Sequence, residues 1–178
     1  MRICSCVATR MRDTAFKRVP GTLPIDSHIT IEGPFGNLLL HDDQARAGMF
    51  LAGRIGITPF RSILLRAARE PLPHRLFLFY ANRRPEDAPF LQELEALPRQ
   101  NPRYTCVPTM THMSRSHRPW LGATGVINQG MLAKLLKSAV SPIYYLAGPP
   151  GMVGPMRTVL HGMGIDEGDI RTEEFAGY

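Results

Sequence analysis

The stretch that most constrains this chain is Phe50-Leu51-Ala52-Gly53-Arg54-Ile55-Gly56-Ile57-Thr58-Pro59-Phe60-Arg61. A short apolar run reads as a buried strand, and a glycine turn comes directly after it. The turn opens into apolar positions at helical spacing, Ile63, Leu64, Leu65, Ala67 and Ala68. A strand, a glycine turn and a helix in that order gather main-chain N–H groups and the positive helix end at one point, which suits a phosphate. A side chain in such a turn would block approach to the phosphate or forbid the tight backbone. Gly-x-x-Gly also occurs as plain structure, so its meaning depends on the rest of the chain.

Downstream of this turn, strand and helix patterns alternate. Strands are predicted at residues 48–52, 75–81, 103–109, 142–147 and 170–175, with helices at 59–69, 89–97, 129–137 and 150–163. That order predicts an α/β fold, a doubly wound, five-stranded parallel sheet with right-handed crossovers, over residues 44–178. Ligands on such sheets bind beyond the carboxyl ends of the strands, where all the motif-bearing turns fall. Residues 1–43 read differently. Strand patterns at 3–9, 28–32 and 37–41, a short helix at 13–19 and the turn Gly33-Pro34-Phe35-Gly36 suggest antiparallel β material with one helix.

Composition narrows the function. With 44% apolar and 20% charged residues in 178, the chain reads as a soluble globular protein. It has no apolar run near the roughly 20 residues that span a bilayer. Its start, Met1-Arg2-Ile3-Cys4-Ser5-Cys6, lacks the apolar centre of a signal peptide, so a cytoplasmic location is expected. Three cysteines cannot form a disulfide framework, and Cys4, Cys6 and Cys106 read as structural thiols rather than metal ligands. The formal net charge of +6 is carried by scattered basic residues without aromatic interleaving. An anionic cofactor and an acidic protein partner account for it better than nucleic acid does.

Three further segments lie at strand carboxyl ends. Asn82, Arg83 and Arg84 come after the second strand, where a nucleotide running from the first turn would place its adenosine ribose. An acidic residue there suits a free 2′-hydroxyl and arginine suits a 2′-phosphate, so this turn favours NADP(H) over NAD(H); a solvated basic turn is the alternative. After the third strand come His112, Arg115, His117, Arg118 and Trp120. The histidines are candidate ligands, acid/base groups or ordinary loop residues, and the arginines offer further phosphate contacts. After the fourth, Ala147-Gly148-Pro149-Pro150-Gly151-Met152 repeats the strand–turn–helix layout.

With these segments in order, the chain resembles the ferredoxin–NADP reductase superfamily, flavin reductases that accept a hydride from a nicotinamide. Gly56-Ile57-Thr58-Pro59, Gly148-Pro149-Pro150 with Met152 close behind, and the end Arg171-Thr172-Glu173-Glu174-Phe175-Ala176-Gly177-Tyr178 carry the resemblance, which runs from about residue 8 to the C-terminus. It implies that Gly53, Gly56, Thr58 and Pro59 hold the nicotinamide nucleotide, with Gly148, Pro149 and Met152 closing the pocket. Glu174 and Phe175 would lie beside the flavin ring and Tyr178 would stack on it. Residues 1–43 would be the C-terminal remnant of the FAD-binding barrel, with Arg12 and Thr14 against the FAD diphosphate. The implied activity is hydride transfer from NAD(P)H, NADPH favoured, to FAD and on to a separate electron-acceptor protein. A nucleotide-binding module that retains no flavin is the alternative.

The chain also departs from the family. At about 5–6 residues per strand, 43 residues supply some three strands and a helix, too few to close the barrel. The sequence therefore reads as the C-terminal portion of a reductase, and an exposed barrel remnant leaves a homodimer open. Arg54 stands where relatives carry glycine. A left-handed backbone there would cost about 1–2 kcal/mol and crowd the diphosphate, unless the guanidinium pairs with a phosphate. Ala147 replaces a cysteine that many relatives place beside the nicotinamide. No cysteine-rich run could hold an iron–sulfur cluster, and no Ser/His/Asp or Cys/His set suggests a nucleophile.

Overall fold

The computed structural model describes residues 18–19, 22–28, 30, 38–70 and 72–175. Arg12, Thr14, Tyr178, Cys4, Cys6, the expected strand at 3–9 and most of those at 28–32 and of the helix at 13–19 lie outside the described residues. From Leu38 onward the chain forms one compact unit. In the separate unit upstream, the Leu23 N–H donates to the Val19 carbonyl (3.0 Å).

Strands and helices alternate as β1 (Gly48–Gly53), α1 (Ile57–Arg69), β2 (Leu76–Asn82), α2 (Leu91–Ala96), β3 (Tyr104–Met110), β4 (Ala123–Thr124), α3 (Gln129–Leu136), β5 (Ile143–Gly148), α4 (Pro150–Gly162) and β6 (Ile170–Glu174). All strand pairs are parallel, in the order β4-β3-β2-β1-β5-β6. The five expected strands are there, and a sixth extends one edge. β4 is only two residues long, too short to leave an alternation in the sequence. Side chains hold it: Thr109 Oγ1 donates to the Gly125 carbonyl (2.7 Å) and Trp120 Nε1 to the Ala123 carbonyl (2.8 Å).

Both faces of the sheet are covered, which explains why β1 and β5 read as continuous apolar runs. On one face Phe50, Ala52, Leu78, Tyr80 and Tyr145 pack under Ile57, Phe60, Leu64 and Ala67 of α1. On the other, Met49, Leu51, Phe77, Phe79 and Leu146 meet Val153, Met156 and Leu160 of α4. The three- and four-residue steps in each helix set one apolar stripe against the sheet, and each fully buried large side chain contributes about 1.5–3 kcal/mol. Helix α1 ends where Glu70 turns extended (φ −103°, ψ 117°), ahead of Pro71, whose ring disfavours a helical residue before it.

One expected strand is corrected. Residues 38–41 form no ladder among the described residues. They run as a strap, with Leu38 and Leu40 packed on the first core face and Leu39 exposed. Among the described residues, side chains take up their main-chain groups: the His41 N–H donates to the Tyr145 hydroxyl (2.9 Å), and Arg171 Nη1 donates to the Leu39 carbonyl (2.8 Å).

A candidate nucleotide crevice at the carboxyl edge

Sheet order reverses beside β1, since β2 lies on one side of it and β5 on the other. Crossovers therefore leave in opposite directions, and in sheets of this kind ligands bind outside the carboxyl ends of the strands at such a point, here β1 and β5. Two glycine turns meet there. A Cβ on Gly56 would lie 2.1 Å from the Ala147 carbonyl oxygen, and one on Gly148 would lie 3.1 Å from the Gly53 nitrogen. A Cβ on Gly53 would fall 2.3 Å from Met152 Sδ. Backbone packed on backbone is thus the reason for glycine at 56 and 148, and the Met152 and Pro149 side chains fill the space beside Gly53.

The helix starts at the seam are unusual in a shared way. Neither α1 nor α4 has a side-chain cap or an acidic residue in its first turn. Thr58 directs its hydroxyl inward, to the Ile55 carbonyl (2.9 Å), which closes the 3₁₀ turn Arg54–Gly56 leading into α1. That turn starts the helix two residues ahead of the expected Pro59, a residue tolerated in the first turn because its missing N–H has no intrahelical partner. Arg54 is half-buried and sits at φ +52°, the left-handed conformation that made glycine the expected residue. Across the seam Glu174 pairs in register with Gly148, and the Phe175 N–H donates to the Gly148 carbonyl (3.0 Å). Gly53, Gly56, Thr58, Pro59, Gly148, Pro149, Met152, Glu174 and Phe175 are therefore brought to one place.

Asn82, Arg83 and Arg84 form the neighbouring strand end. Asn82 is buried and its side-chain amide has no hydrogen-bond partner. Arg83 is exposed, whereas Arg84 forks onto Asp87 (2.7 and 2.8 Å) and donates to the Arg115 carbonyl (3.2 Å). Glu86 in turn accepts from Ser116 Oγ (2.9 Å) and from the His117 N–H (3.1 Å). Partial burial would raise the Glu86 carboxyl, but these hydrogen bonds and the Arg84 charge hold it below its ordinary value. The two acids are thus absorbed in latching the loop at 112–118 to the turn at 84–87. Arg83, His112, Arg115, His117 and Arg118 stay on the exposed side of that loop pair. Among the described residues no three His, Cys, Asp or Glu side chains converge as a metal-binding group. Cys106 is half-buried, and burial pushes its thiol up to about 11.

The latch and one further clamp are invisible in the sequence pattern. Arg61 forks onto Glu93 (2.7 and 2.8 Å) and its guanidinium lies 4.3 Å from the Phe90 ring centroid. Only the Arg84–Asp87 pair, three residues apart, is visible as a local spacing; the others join residues about thirty positions apart.

A parallel sheet with two bare glycine turns meeting at its switch point defines a dinucleotide-type binding lobe. Residues 50–158 match the oxidoreductase NAD-binding domain, and the chain belongs to that family. It is 28% identical over 153 residues to one subunit of the Na(+)-translocating NADH-quinone reductase of Methylococcus capsulatus, covering 84% of this chain and 37% of that protein. Among solved structures, the CS-b5R domains of human Ncb5or superpose with a TM-score of 0.72 at 22% identity, over 89% of this chain and 45% of that one. The ferredoxin reductase of carbazole 1,9a-dioxygenase gives 0.65 at 27% identity, over 80% of this chain and 41% of the other. The resemblance to the ferredoxin–NADP reductase superfamily therefore holds, and the chain spans about two fifths of the length of the curated relatives it matches. Among the described residues no helix is long and apolar enough to cross a membrane.

Proposed function

We propose that this chain is the pyridine-nucleotide-binding part of a flavin-dependent oxidoreductase, which takes hydride from NAD(P)H to FAD and passes electrons to a separate acceptor protein. The observation that carries the reading is the seam, where Gly56 backs onto Ala147 and Phe175 bonds to Gly148 outside the switch point. Gly53, Gly56, Thr58 and Pro59 hold the nucleotide against uncapped helix starts, which favour an anion. Gly148, Pro149 and Met152 form the facing wall, and Glu174 and Phe175 flank the flavin edge. Arg12, Thr14 and Tyr178 keep the flavin-side roles that the resemblance implies, with residues 1–43 as barrel and 44–178 as nucleotide lobe. The bound cofactors supply the redox chemistry; the chain supplies position and field.

NADPH is the favoured donor. Glu86 and Asp87 are the acids that would recognise a free 2′-hydroxyl, and both are occupied by the loop latch. Exposed Arg83 is left to meet a 2′-phosphate, with Arg115 and Arg118 nearby on the latched loop. The M. capsulatus relative is named for NADH, so NADH preference is the competing outcome.

Calorimetric titration of the folded chain with NADP⁺ and NAD⁺ tests the nucleotide role, and FAD absorbance bleached by NADPH tests the redox role. Saturable NADP⁺ uptake with bleaching supports the whole reading. Uptake without flavin retention leaves a nucleotide-binding module, and no saturable uptake of either nucleotide overturns the proposal.

A further inference from the structure

The strap at 38–41 is fixed by a hydrogen-bond network that works with only one protonation state of His41. The imidazole is buried with the His74 ring edge-on against it at a centroid distance of 5.0 Å. His41 Nδ1 lies 2.9 Å from the Tyr145 hydroxyl, and Nε2 lies 3.1 Å from the Arg46 carbonyl. A carbonyl only accepts, so Nε2 carries the proton and Nδ1 is the bare acceptor. The donor count at Tyr145 agrees. Its oxygen accepts the His41 main-chain N–H (2.9 Å) and lies within 3.4 Å of Arg171 Nη1, so its own proton goes to Nδ1.

A proton added at Nδ1 breaks this arrangement. The Tyr145 oxygen would then face the His41 N–H, the Arg171 guanidinium and an imidazolium, all donors, with its own hydrogen left without an acceptor. Among the described residues no carboxylate offsets the new charge. The charged or titratable groups facing His41 are Arg46 from the loop before β1, His74 from the segment before β2, Tyr145 from β5 and Arg171 from β6. Asp169 is already paired with Arg46 (2.7 Å). His74 compounds the problem, because neither of its buried ring nitrogens has a hydrogen-bond partner.

We propose that His41, Tyr145 and His74 form a proton-operated latch that releases the strap from the sheet in mild acid. The strap is the path by which the chain enters the compact unit. Its release, together with the loop to Arg46, frees nine residues of tether, about 30 Å when extended. Acidification thus lengthens and loosens the link between the nucleotide lobe and everything upstream. Burial lowers His41 from its ordinary 6.5, partly opposed by the bond to Arg46 and aided by the surrounding positive charges. Because the folded value is depressed, the latch's contribution is intact above 6.5 and is lost as pH falls through the lowered value. This device is independent of the nucleotide assignment.

Hydrogen exchange on the full chain reads the latch directly, through the His41 amide that bonds to Tyr145. Between about pH 7.5 and about pH 5.5 its protection factor should fall severalfold, up to about tenfold, while Phe50 and Leu78 in the central strands keep theirs. His41→Gln keeps an acceptor for the tyrosine but cannot titrate, and should hold the strap protected through that range. Flat protection of the wild-type His41 amide, or a His41→Gln strap that opens as steeply as wild type, overturns the proposal; a fall confined to chains carrying His41 supports it.

Discussion

Helices α1 and α3 both emerge from a strand into a layer beside the sheet, yet their first turns are built in opposite ways. Helix α3 carries its own cap: Asn128 Oδ1 accepts from the Met131 N–H at 3.1 Å. Helix α1, at the switch point, has no side-chain cap, no acid in its first turn and an arginine in the turn before it. Helix α4, facing it across the seam, is built the same way in its first turn, without cap or acid. A helix start needs acceptors for its first N–H groups, and Asn128 supplies one at the edge of the sheet. At the seam the chain supplies none from its side chains, which suits an acceptor brought by a ligand. The glycines of the seam and of the helix beyond it differ as well. Gly56 is pressed onto Ala147 backbone, while Gly154 in α4 has nothing within 4 Å of its missing side chain.

Gly56→Ala should break the seam most severely. The added methyl meets a carbonyl that cannot rotate away, so a loss of about 3 kcal/mol and of saturable NADP⁺ binding is expected, whereas Gly154→Ala should stabilise the fold by about 0.5–1 kcal/mol. Comparing the two melting temperatures checks the contrast; equal effects would show that the seam tolerates separation. Arg54→Gly should relieve about 1–2 kcal/mol of left-handed strain, seen as a rise in melting temperature. If nucleotide affinity drops in the same variant, the guanidinium contacts the ligand as well. Arg83→Ala should weaken NADPH about tenfold and leave NADH unchanged, the scale of one charge-assisted hydrogen bond. Arg84→Ala, which unpins the loop at 112–118, should affect both nucleotides alike. A selective loss from Arg84→Ala instead would reassign the phosphate contact. Smallest is Asn128→Ala, costing about 1 kcal/mol of stability without altering nucleotide affinity; a change in affinity would mean the two helix starts are not independent.

Legibility tracked the range of the interactions. Helices and strands were readable because apolar spacing reports which face is buried: of the expected α1 positions Leu64 and Ala67 are buried against the sheet and Ile63, Leu65 and Ala68 are partly buried, while Ile57 and Phe60 join the buried face. Arg54 was noticed only because the resemblance implies glycine at its position; the left-handed backbone (φ +52°) is a finding of the structure. Residues 38–41 misled, since Leu38-Leu39-Leu40 is strand-like whether its main chain bonds to a neighbouring strand or, as here, to the side chains of Tyr145 and Arg171. Arg83 and Arg84 were indistinguishable as a pair. Asp87 takes one and leaves the other exposed.

Sequence alone determined the alternation of strands and helices and the placement of glycine turns at strand ends, because each depends on residues within a few positions of one another. Tertiary structure decided which turns face each other, which acids are spent on the loop latch, and which nitrogen of His41 carries its proton. Those outcomes depend mostly on groups separated by thirty to a hundred positions, as in Glu86 with Ser116 and His41 with Tyr145, whose meeting is set by sheet order and close packing rather than by any local pattern.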